Sequence, residues 1–467
     1  MKKTRFIFPA VLALLISGGC GASPPGESVE LAPQQDEKVL AAMAIKQEEN
    51  EQGLLHSMYT NVVNTASGSH GTGRLYQAIS EDDEDEERKP LTEEQTALIK
   101  EYMDTYFESM AELKLYDPSK LFTEPDGLQA AGNRAVWEYL IELRKMQKSD
   151  LSLVHYEYEL TCRQGGWGQQ REETEDDGKI HVMALERSIQ NFSQFPETDA
   201  ESTAVYHQFI LAETSEGWKI ESHMQMDTLY VVLFLEGDSH NMREYLKDTF
   251  PEEKGKEYID QRLETLLREA KEGTEARLQS MAETLEEESE PVATDHPYDR
   301  DAAIAYAMKW VGVRNAEWED YGRYGGNCQN YVSQCLLAGG IPMDPYGESL
   351  WKWYSDFPDN RPGASGRSAS WSAVESFREY AETNTGFGLA AEAGAPFYSG
   401  EVGDVLEIGT ADNPLRHSVI ISKVIKDKDG NTIDYLVCSN TSDLRNFPVS
   451  AYFYSSQSLV KILGWND

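Results

Sequence analysis

Cys328 lies where the sequence signals the start of a helix. Two glycines at 325–326 permit a sharp turn before it, and Asn327 is a favourable helix cap. A helix that begins at Cys328 is expected to end at the glycine pair 339–340. A thiol at a helix N-terminus faces the positive end of the helix dipole, which favours the thiolate and makes the sulfur nucleophilic near neutral pH. The free backbone N–H groups of the same turn can also receive an oxyanion.

A nucleophilic thiol needs a base, and His417 is the one histidine of the C-terminal region after its opening residues. It begins the stretch HSVIISKVI, whose β-branched residues are typical of a strand. The pKa of imidazole suits general acid–base catalysis near neutral pH, so we assign that role to His417. We expect Cys328 and His417 to act as a catalytic pair.

The next predicted strand, DYLVCSNTSD, offers a third polar group. Ser439 and Asn440 point to opposite faces of a strand, so only one of them can face the thiol. An amide there could orient the imidazole, and we favour Asn440 as the third catalytic residue, with Ser439 as the alternative. Asn327 and Tyr324, just before the nucleophile, are assigned supporting roles around the oxyanion.

The five cysteines of the chain are widely spaced, which excludes a dense disulfide framework. Cys335 follows Cys328 on the same predicted helix face, two turns deeper, and is interpreted as core packing. A buried structural role is the alternative interpretation of Cys328 itself.

Several other kinds of site are disfavoured. The C-terminal region has no HExxH motif and no cysteine pair at ligand spacing, which argues against zinc. It also lacks a Gly-rich phosphate loop, so we predict no metal and no cofactor. The net charge of −39 argues against nucleic-acid binding, in which Lys and Arg neutralise phosphates.

The first 20 residues have the pattern of an export signal. Basic residues precede an apolar stretch over 6–16 that is too short to span a bilayer. Small residues then lead to Cys20, as in the bacterial lipobox, although Ser17 stands where leucine is usual. We predict lipidation at Cys20, which would anchor an exported protein at the outer face of the cytoplasmic membrane. Ordinary cleavage of the signal is the alternative.

Composition and periodicity divide the rest of the chain into four regions. Residues 21–90 are polar and end in an acidic run, so we predict a disordered tether. Residues 91–236 begin with two helical patterns and continue with alternating strands, which indicates an α+β domain. Residues 237–295 are typical of a solvated helical connector. Residues 296–467 are richer in Trp, Tyr, Gly and Ser and contain the predicted catalytic pair.

The strands of residues 91–236 carry His155, His207 and His223. We find no convergent polar set in this region that would mark an active site, and we interpret the three histidines as strand residues and not as ligands. The order of helices and strands, with a closing Gly-Trp-Lys-Ile hairpin, resembles the cone-shaped folds of the nuclear-transport-factor-like superfamily.

Five segments of the C-terminal region resemble the putative amidase domain family of exported proteins from Gram-positive bacteria: GGNCQNYVSQCLLAGGIPMD, SASWSAVESFREY, GDVLEI, RHSVII and SNTSD. The resemblance covers about residues 298–467 and implies a papain-like fold, similar to CHAP-like hydrolases. That fold has a Cys at a helix start, a His at a strand start and a polar residue on the next strand. These roles carry over to Cys328, His417 and Asn440. The family leads us to expect a His-containing third segment, and this chain departs from it with Asn440.

The expected function is that of an exported cysteine-dependent amidase or peptidase. The resemblance implies an amide substrate, with peptidoglycan peptides as the default, because papain-fold enzymes in this compartment commonly act on them. One alternative is a catalytically silent lipoprotein that binds cell-wall peptides. Another is an interaction protein whose function resides in residues 91–236. Acyl transfer to an amine would use the same residues as hydrolysis.

Overall fold

The structure is a computed structural model, and it describes residues 59–65, 68–78, 90–147, 150–165, 178–225, 229, 255–284, 293–324, 326–346, 350–353 and 367–467. The predicted signal peptide over 1–20, with Cys20, lies outside the described residues. Within them, no helix is both long and apolar enough to cross a membrane.

The described strands form one large sheet, in which most neighbouring strands are antiparallel. In chain order they are β1 Tyr59–Thr65, β2 Gly71–Ala78, β3 Leu153–Gln164, β4 Ile180–Phe192, β5 Ala200–Thr214, β6 Gly217–Gln225, β7 Gly388–Ala395, β8 Val405–Gly409, β9 His417–Lys426, β10 Thr432–Ser439, β11 Leu444–Pro448 and β12 Ser456–Asn466. Across the sheet the order is β1-β2-β3-β4-β5-β11-β10-β9-β8-β12-β7, and β6 pairs with β5.

The helices lie on this sheet, which confirms the α+β class. They are α1 Glu93–Glu112, α2 Leu128–Lys145, α3 Gly255–Thr284, α4 Arg300–Trp310, α5 Cys328–Ala338, α6 Ala369–Ser372 and α7 Val374–Thr383. The predicted start of the first helix is confirmed, because the side chain of Thr92 accepts a hydrogen bond from the backbone N–H of Gln95.

The prediction of a disordered tether over 21–90 is wrong for residues 59–65 and 71–78, which are β1 and β2. β2 pairs in parallel with β3. A Cβ on Gly73 would lie 2.0 Å from the ring of Tyr158, so the glycine is required for this close approach. Gly73, which lies in the stretch predicted to be disordered, is therefore explained by packing under an aromatic side chain.

The helix predicted within the connector over 237–295 is present as α3, but one face of it is buried and not solvated. Its apolar residues Ile259, Leu263, Leu266 and Ala270 belong to the same core as α1, α2 and the β3–β6 strands. A second core lies between α4, α5, α7 and the C-terminal strands, and it includes Trp351 and Trp371. The two parts of the sheet meet where β11 pairs with β5, at Leu444 opposite Ser202.

Candidate active site

The predicted helix start at Cys328 is confirmed, since α5 begins there and ends at Ala338. Gly326 has a φ of +141°, which strongly favours glycine, so the turn before the thiol depends on this residue. Cys328 is 8 % exposed and takes part in no disulfide. Gly325 and the side chain of Tyr324, a predicted supporting residue, lie outside the part that the structure describes. The thiol is therefore at the N-terminal end of a buried helix.

Asn327 precedes the helix as predicted, but its side chain makes no capping hydrogen bond. Its Nδ2 donates to Oδ1 of Asn440 at 2.8 Å, and its backbone N–H donates to Oγ1 of Thr441 at 2.7 Å. Its Oδ1 accepts from the backbone N–H of Tyr321 at 3.0 Å and from Nδ2 of Asn330 at 2.8 Å. These bonds fasten the residue before the thiol to the turn that follows β10.

His417 is the first residue of β9, as the β-branched pattern predicted. The residue is 7 % exposed, and its Nε2 is buried without a hydrogen-bond partner among the described residues. Burial, and then the positive charge of Arg416, lower the pKa of His417 to about 4. The imidazole is therefore neutral at pH 7 and has a nitrogen able to accept a proton.

A hydrogen bond connects the residues that follow the thiol and the imidazole along the chain. Oγ of Ser418 donates to Oε1 of Gln329 at 2.6 Å. Nε2 of Gln329 in turn donates to Oγ of Ser333, one turn further along α5, at 3.2 Å. Gln329, Ser333 and Ser418 are all fully buried. The start of α5 is thus held against the start of β9, which brings the regions of Cys328 and His417 together.

Tyr452 and Tyr454 lie beside the histidine, and sequence analysis missed both. Their ring centroids are 6.2 Å and 6.5 Å from that of His417. Burial raises the pKa of Tyr452, and the nearby Cys328 adds to this increase, so Tyr452 is a neighbour of the predicted nucleophile as well as of the predicted base. The aromatic run Tyr-Phe-Tyr over 452–454 was the sequence signal that could have revealed them. This run follows β11, whereas the third catalytic residue was sought on β10.

The two candidates for the third catalytic residue have different surroundings. Ser439 donates to the backbone oxygen of Ser442 at 2.7 Å, and its Oγ is 3.2 Å from the hydroxyl of Tyr452. Asn440 is 1 % exposed, and its Oδ1 accepts from Asn327. Among the described residues there is no hydrogen bond between Asn440 and His417. The structure therefore brings Asn440 to the thiol side of the site.

Residues 297–463 match the family model described as a putative amidase domain. This match lies in the C-terminal region and covers less than half of the chain. The resemblance predicted from the motifs around Cys328 and His417 is thus confirmed.

Two proteins show likeness to parts of the chain. The uncharacterized protein YhbB of Bacillus subtilis is 33 % identical over 164 residues, which cover 34 % of this chain and 47 % of that protein. The match thus spans about half the length of the curated relative. A solved structure of a putative aromatic ring hydroxylase from Novosphingobium aromaticivorans is 16 % identical, with a TM-score of 0.19, and covers 29 % of this chain and 90 % of that chain. A TM-score this low carries no argument for a shared fold.

The other cysteines that the structure describes do not lie at the start of a helix, as Cys328 does. Cys335, in the same helix of the putative amidase domain, is fully buried, and burial raises its pKa well above the usual value. Burial also raises the pKa of Cys438 to about 11 and that of Cys162 to about 12. The predicted packing role of Cys335 is confirmed, and these thiols are poor nucleophiles near neutral pH.

A buried polar network that sequence analysis did not find lies outside residues 297–463. Nε2 of His207 is 3.0 Å from Oε2 of Glu186, and Nδ1 of His207 is 3.0 Å from Nε2 of His223. Nδ1 of His223 lies 2.8 Å from Oδ1 of Asn133, which also accepts from the hydroxyl of Tyr102 at 2.8 Å. All five residues are at least 95 % buried. Because they come from α1, α2, β4, β5 and β6, no local motif could reveal them.

A group of metal-ligand residues also occurs away from the catalytic pair. Ligand atoms of His70, Glu108 and Glu112 lie within 4.8 Å of one another. Glu108 already accepts hydrogen bonds from Nδ1 of His70 at 3.0 Å and from the hydroxyl of Tyr156 at 2.8 Å. Burial opposes ionisation of Glu108, but these donors outweigh it and lower its pKa. The arrangement is explained by hydrogen bonds to one carboxylate.

Proposed function

We propose that residues 297–463 form a cysteine-dependent amidase or peptidase in which Cys328 is the nucleophile and His417 is the general base and acid. The observation that carries this proposal is a pair of local structures. A thiol begins a buried helix. A neutral imidazole, whose Nε2 has no hydrogen-bond partner among the described residues, begins the strand fastened to that helix through Gln329 and Ser418. The family match to a putative amidase domain supplies the reaction class.

In this reaction the sulfur of Cys328 forms a bond to the carbonyl carbon of an amide. The carbonyl oxygen gains negative charge, which the backbone N–H groups of the first turn of α5 would stabilise. The C–N bond then breaks, and His417 delivers its proton to the leaving amine. Water hydrolyses the resulting thioester, which releases the acid and restores the thiol.

The low pKa of His417 bears on how the proton moves. A thiol has an ordinary pKa of about 8.5, so complete transfer to an imidazole of pKa about 4 would cost about 6 kcal/mol before any bond to carbon forms. Proton transfer is therefore expected to accompany attack, when negative charge leaves the sulfur for the carbonyl oxygen. The imidazolium formed in this way is a strong acid, which suits protonation of an amine leaving group.

The proposed role of Asn440 follows from its contacts. As the sequence analysis suggested, it would complete the catalytic set, but through Asn327 and the turn before the thiol. We also propose that the C-terminal region has the papain-like arrangement and that residues 91–236 form the cone-shaped domain implied by the resemblances. The antiparallel C-terminal strands behind α5 support the first of these.

We further propose an exported lipoprotein, anchored through Cys20, whose substrates are peptidoglycan peptides. The support is the N-terminal sequence pattern and the family resemblance. A Cys20→Ala variant expressed in a Gram-positive host should move from the membrane fraction to the medium. If the variant stays in the membrane fraction, the lipid anchor is wrong.

The central test uses purified wild type and a Cys328→Ala variant, each incubated with muropeptides and analysed by mass spectrometry. Wild type should produce fragments whose masses differ from the substrate by hydrolysis of one amide, and Cys328→Ala should not. Cys335→Ala is the matched control, because it removes a thiol from the same helix and should retain the products. Equal product from wild type and Cys328→Ala would contradict the proposed nucleophile.

A second measurement needs no substrate. Iodoacetamide alkylates thiolates, and peptide mass mapping identifies the cysteine that reacts. Neutral His417 can accept the proton of Cys328 as the new C–S bond forms, so Cys328 should react faster in wild type than in His417→Ala. Cys162, Cys335 and Cys438 should stay unmodified in the folded protein, because they are at most 1 % exposed whereas Cys328 is 8 % exposed. A Cys328 rate that does not change in His417→Ala would contradict the proposed pair.

A further inference from the structure

The segment over 452–455 contributes two of the groups that surround the predicted base. Tyr452 and Tyr454 place their rings 6.2 Å and 6.5 Å from the ring of His417. Because Nε2 of His417 has no hydrogen-bond partner among the described residues, packing has a large share in orienting the imidazole. Any movement of this segment should therefore move the base.

The backbone of the same segment is held by helices of the amino-terminal half, meaning residues 59–284. The hydroxyl of Tyr139, on α2, donates to the backbone oxygen of Phe453 at 3.3 Å. Nη1 of Arg277, on α3, donates to the backbone oxygen of Ser455 at 3.2 Å. A Cβ on Gly273 would lie 2.2 Å from that same oxygen, so α3 can approach the segment only with glycine there.

The turn over 440–445, which holds the residue before the thiol, is also attached to the amino-terminal half. The backbone N–H and the hydroxyl of Thr203, on β5, both donate to the backbone oxygen of Asp443, at 3.1 and 3.2 Å. Nη1 of Arg445 donates to Glu201 of the same strand at 3.2 Å. β5 and β11 are paired at this point.

This turn needs external support because its backbone is strained. Thr441 and Ser442 have φ values of +74° and +57° in succession, a conformation that L-residues with a Cβ rarely adopt. Such residues persist where surrounding contacts fix them, and they are concentrated at functional sites. Here Oγ1 of Thr441 accepts from the N–H of Asn327, and Oδ1 of Asp443 accepts from the N–H of Thr441. The strained turn therefore links β5 to the residue before Cys328, so a shift of β5 would shift that residue.

We propose that the amino-terminal half is a positioning element for the catalytic pair, with β5 fixing the thiol side through the 440–445 turn and α2 and α3 fixing the histidine side through the 452–455 segment. This inference rests on the proposed function of Cys328 and His417. It assigns positioning roles to Gly273, Tyr139 and Thr203, none of which needs to touch a substrate. Catalysis is sensitive to small displacements, so loosening either attachment should lower reactivity without unfolding the protein.

The decisive variant is Gly273→Ala in the full chain. Alanine favours helix more than glycine, so the change does not weaken α3 itself, but its Cβ pushes the helix away from Ser455. Gly386→Ala is the matched control, because the Cβ there meets nothing closer than 3.9 Å. Tyr139→Phe is a milder second variant, which keeps the ring and removes the hydrogen bond to Phe453.

The measurement is the rate of Cys328 alkylation by iodoacetamide between pH 4 and 10, with thermal unfolding as the check on the fold. Gly273→Ala should lower the rate by about tenfold and shift the pH profile, Tyr139→Phe should lower it by a few fold, and Gly386→Ala should match wild type. Folded Gly273→Ala and Tyr139→Phe proteins with the wild-type rate and profile would overturn the inference. So would an equal loss in Gly386→Ala. If Gly273→Ala does not fold, the alkylation rate and pH profile of Tyr139→Phe decide whether the inference holds.

Failure of the proposed function gives a different result. In that case wild-type Cys328 would react like an ordinary thiol and would not depend on His417. The attachment is then judged by hydrogen exchange of backbone amides over 440–455, which Gly273→Ala should accelerate and Gly386→Ala should not. Unchanged exchange in Gly273→Ala would overturn the positioning role on its own.

Discussion

Two buried histidines, one in each half of the molecule, have opposite surroundings. His223 lies in a network in which each ring nitrogen has a polar neighbour at 3.0 Å or less. His417 is almost as deeply buried, yet its Nε2 has no hydrogen-bond partner among the described residues. Burial lowers the pKa of both imidazoles. The difference indicates that a fully hydrogen-bonded histidine stabilises a core. A ring nitrogen without a partner, on a strand fastened to the helix that Cys328 begins, retains the capacity to accept a proton.

The largest effect should come from removing either member of the proposed catalytic pair. Cys328→Ala and His417→Ala should each lower the rate of amide hydrolysis by about a thousandfold or more, because nucleophile and base act as a unit. His223→Gln should leave the rate within about twofold of wild type, once folding is confirmed. The measurement is product formation from muropeptides. A comparable loss of hydrolysis rate in a folded His223→Gln protein would contradict the view that only His417 takes part in the reaction.

The second effect concerns stability, for which His223 should matter more than His417. His223→Ala removes one buried partner from each of Asn133 and His207, so it should lower the free energy of unfolding by about 3 kcal/mol. His417→Gln keeps a polar side chain and removes a buried unpaired imidazole, so its cost should be below about 1 kcal/mol. Urea unfolding at pH 7 measures both. A larger loss in His417→Gln than in His223→Ala would contradict the assignment of structural and reactive roles.

The third effect is the pH dependence of stability that His417 contributes. Its pKa is about 4 in the folded protein and about 6.5 when exposed, so the unfolded chain binds more protons between these values. The contribution is fully present above about pH 6.5 and is lost as pH falls toward 4, by about 3 kcal/mol in total. Stability measured from pH 4 to 8 should therefore depend less on pH in His417→Gln. Parallel curves for both proteins would show that His417 is not buried in this way.

The smallest effect concerns the hydrogen bond that joins α5 to β9. Ser418→Ala removes the donor to Gln329 and should lower the alkylation rate of Cys328 by about threefold, since the helix start is then less firmly placed. Ser422→Ala is the control on the same strand, because its hydroxyl donates instead to Asn446, at 2.9 Å. Equal rates in Ser418→Ala and wild type would show that this hydrogen bond does not position Cys328.

Local signals made the helix start and the strand start that hold the proposed catalytic pair predictable. Gly326 and Asn327 predicted the helix start at Cys328, and a β-branched run predicted the strand start at His417. The partner of Asn440 could not be predicted in this way, because its contact with Asn327 joins residues 113 positions apart. Tyr452 was missed for the same reason, since only the folded chain brings it to the histidine.

The same reasoning explains the errors in the amino-terminal half. β2 has a composition typical of a linker, and its place in the sheet depends on Tyr156 and Tyr158, more than 80 residues away, whose rings cover its glycines. The polar network around His223 combines single residues from five elements, each of which is unremarkable in its own segment. Helix and strand starts are encoded by neighbours in sequence, whereas networks and close approaches are encoded by the fold.

The pairing of β5 with β11 has a practical consequence for anyone who divides this protein. A cut between the region over 91–236 and the region over 296–467 would separate two neighbouring strands of one sheet and leave an unpaired edge on each fragment. Exposed strand edges promote self-association. Isolated fragments are therefore expected to aggregate or bind one another, and a phenotype lost on truncation would report the broken sheet as much as the missing residues.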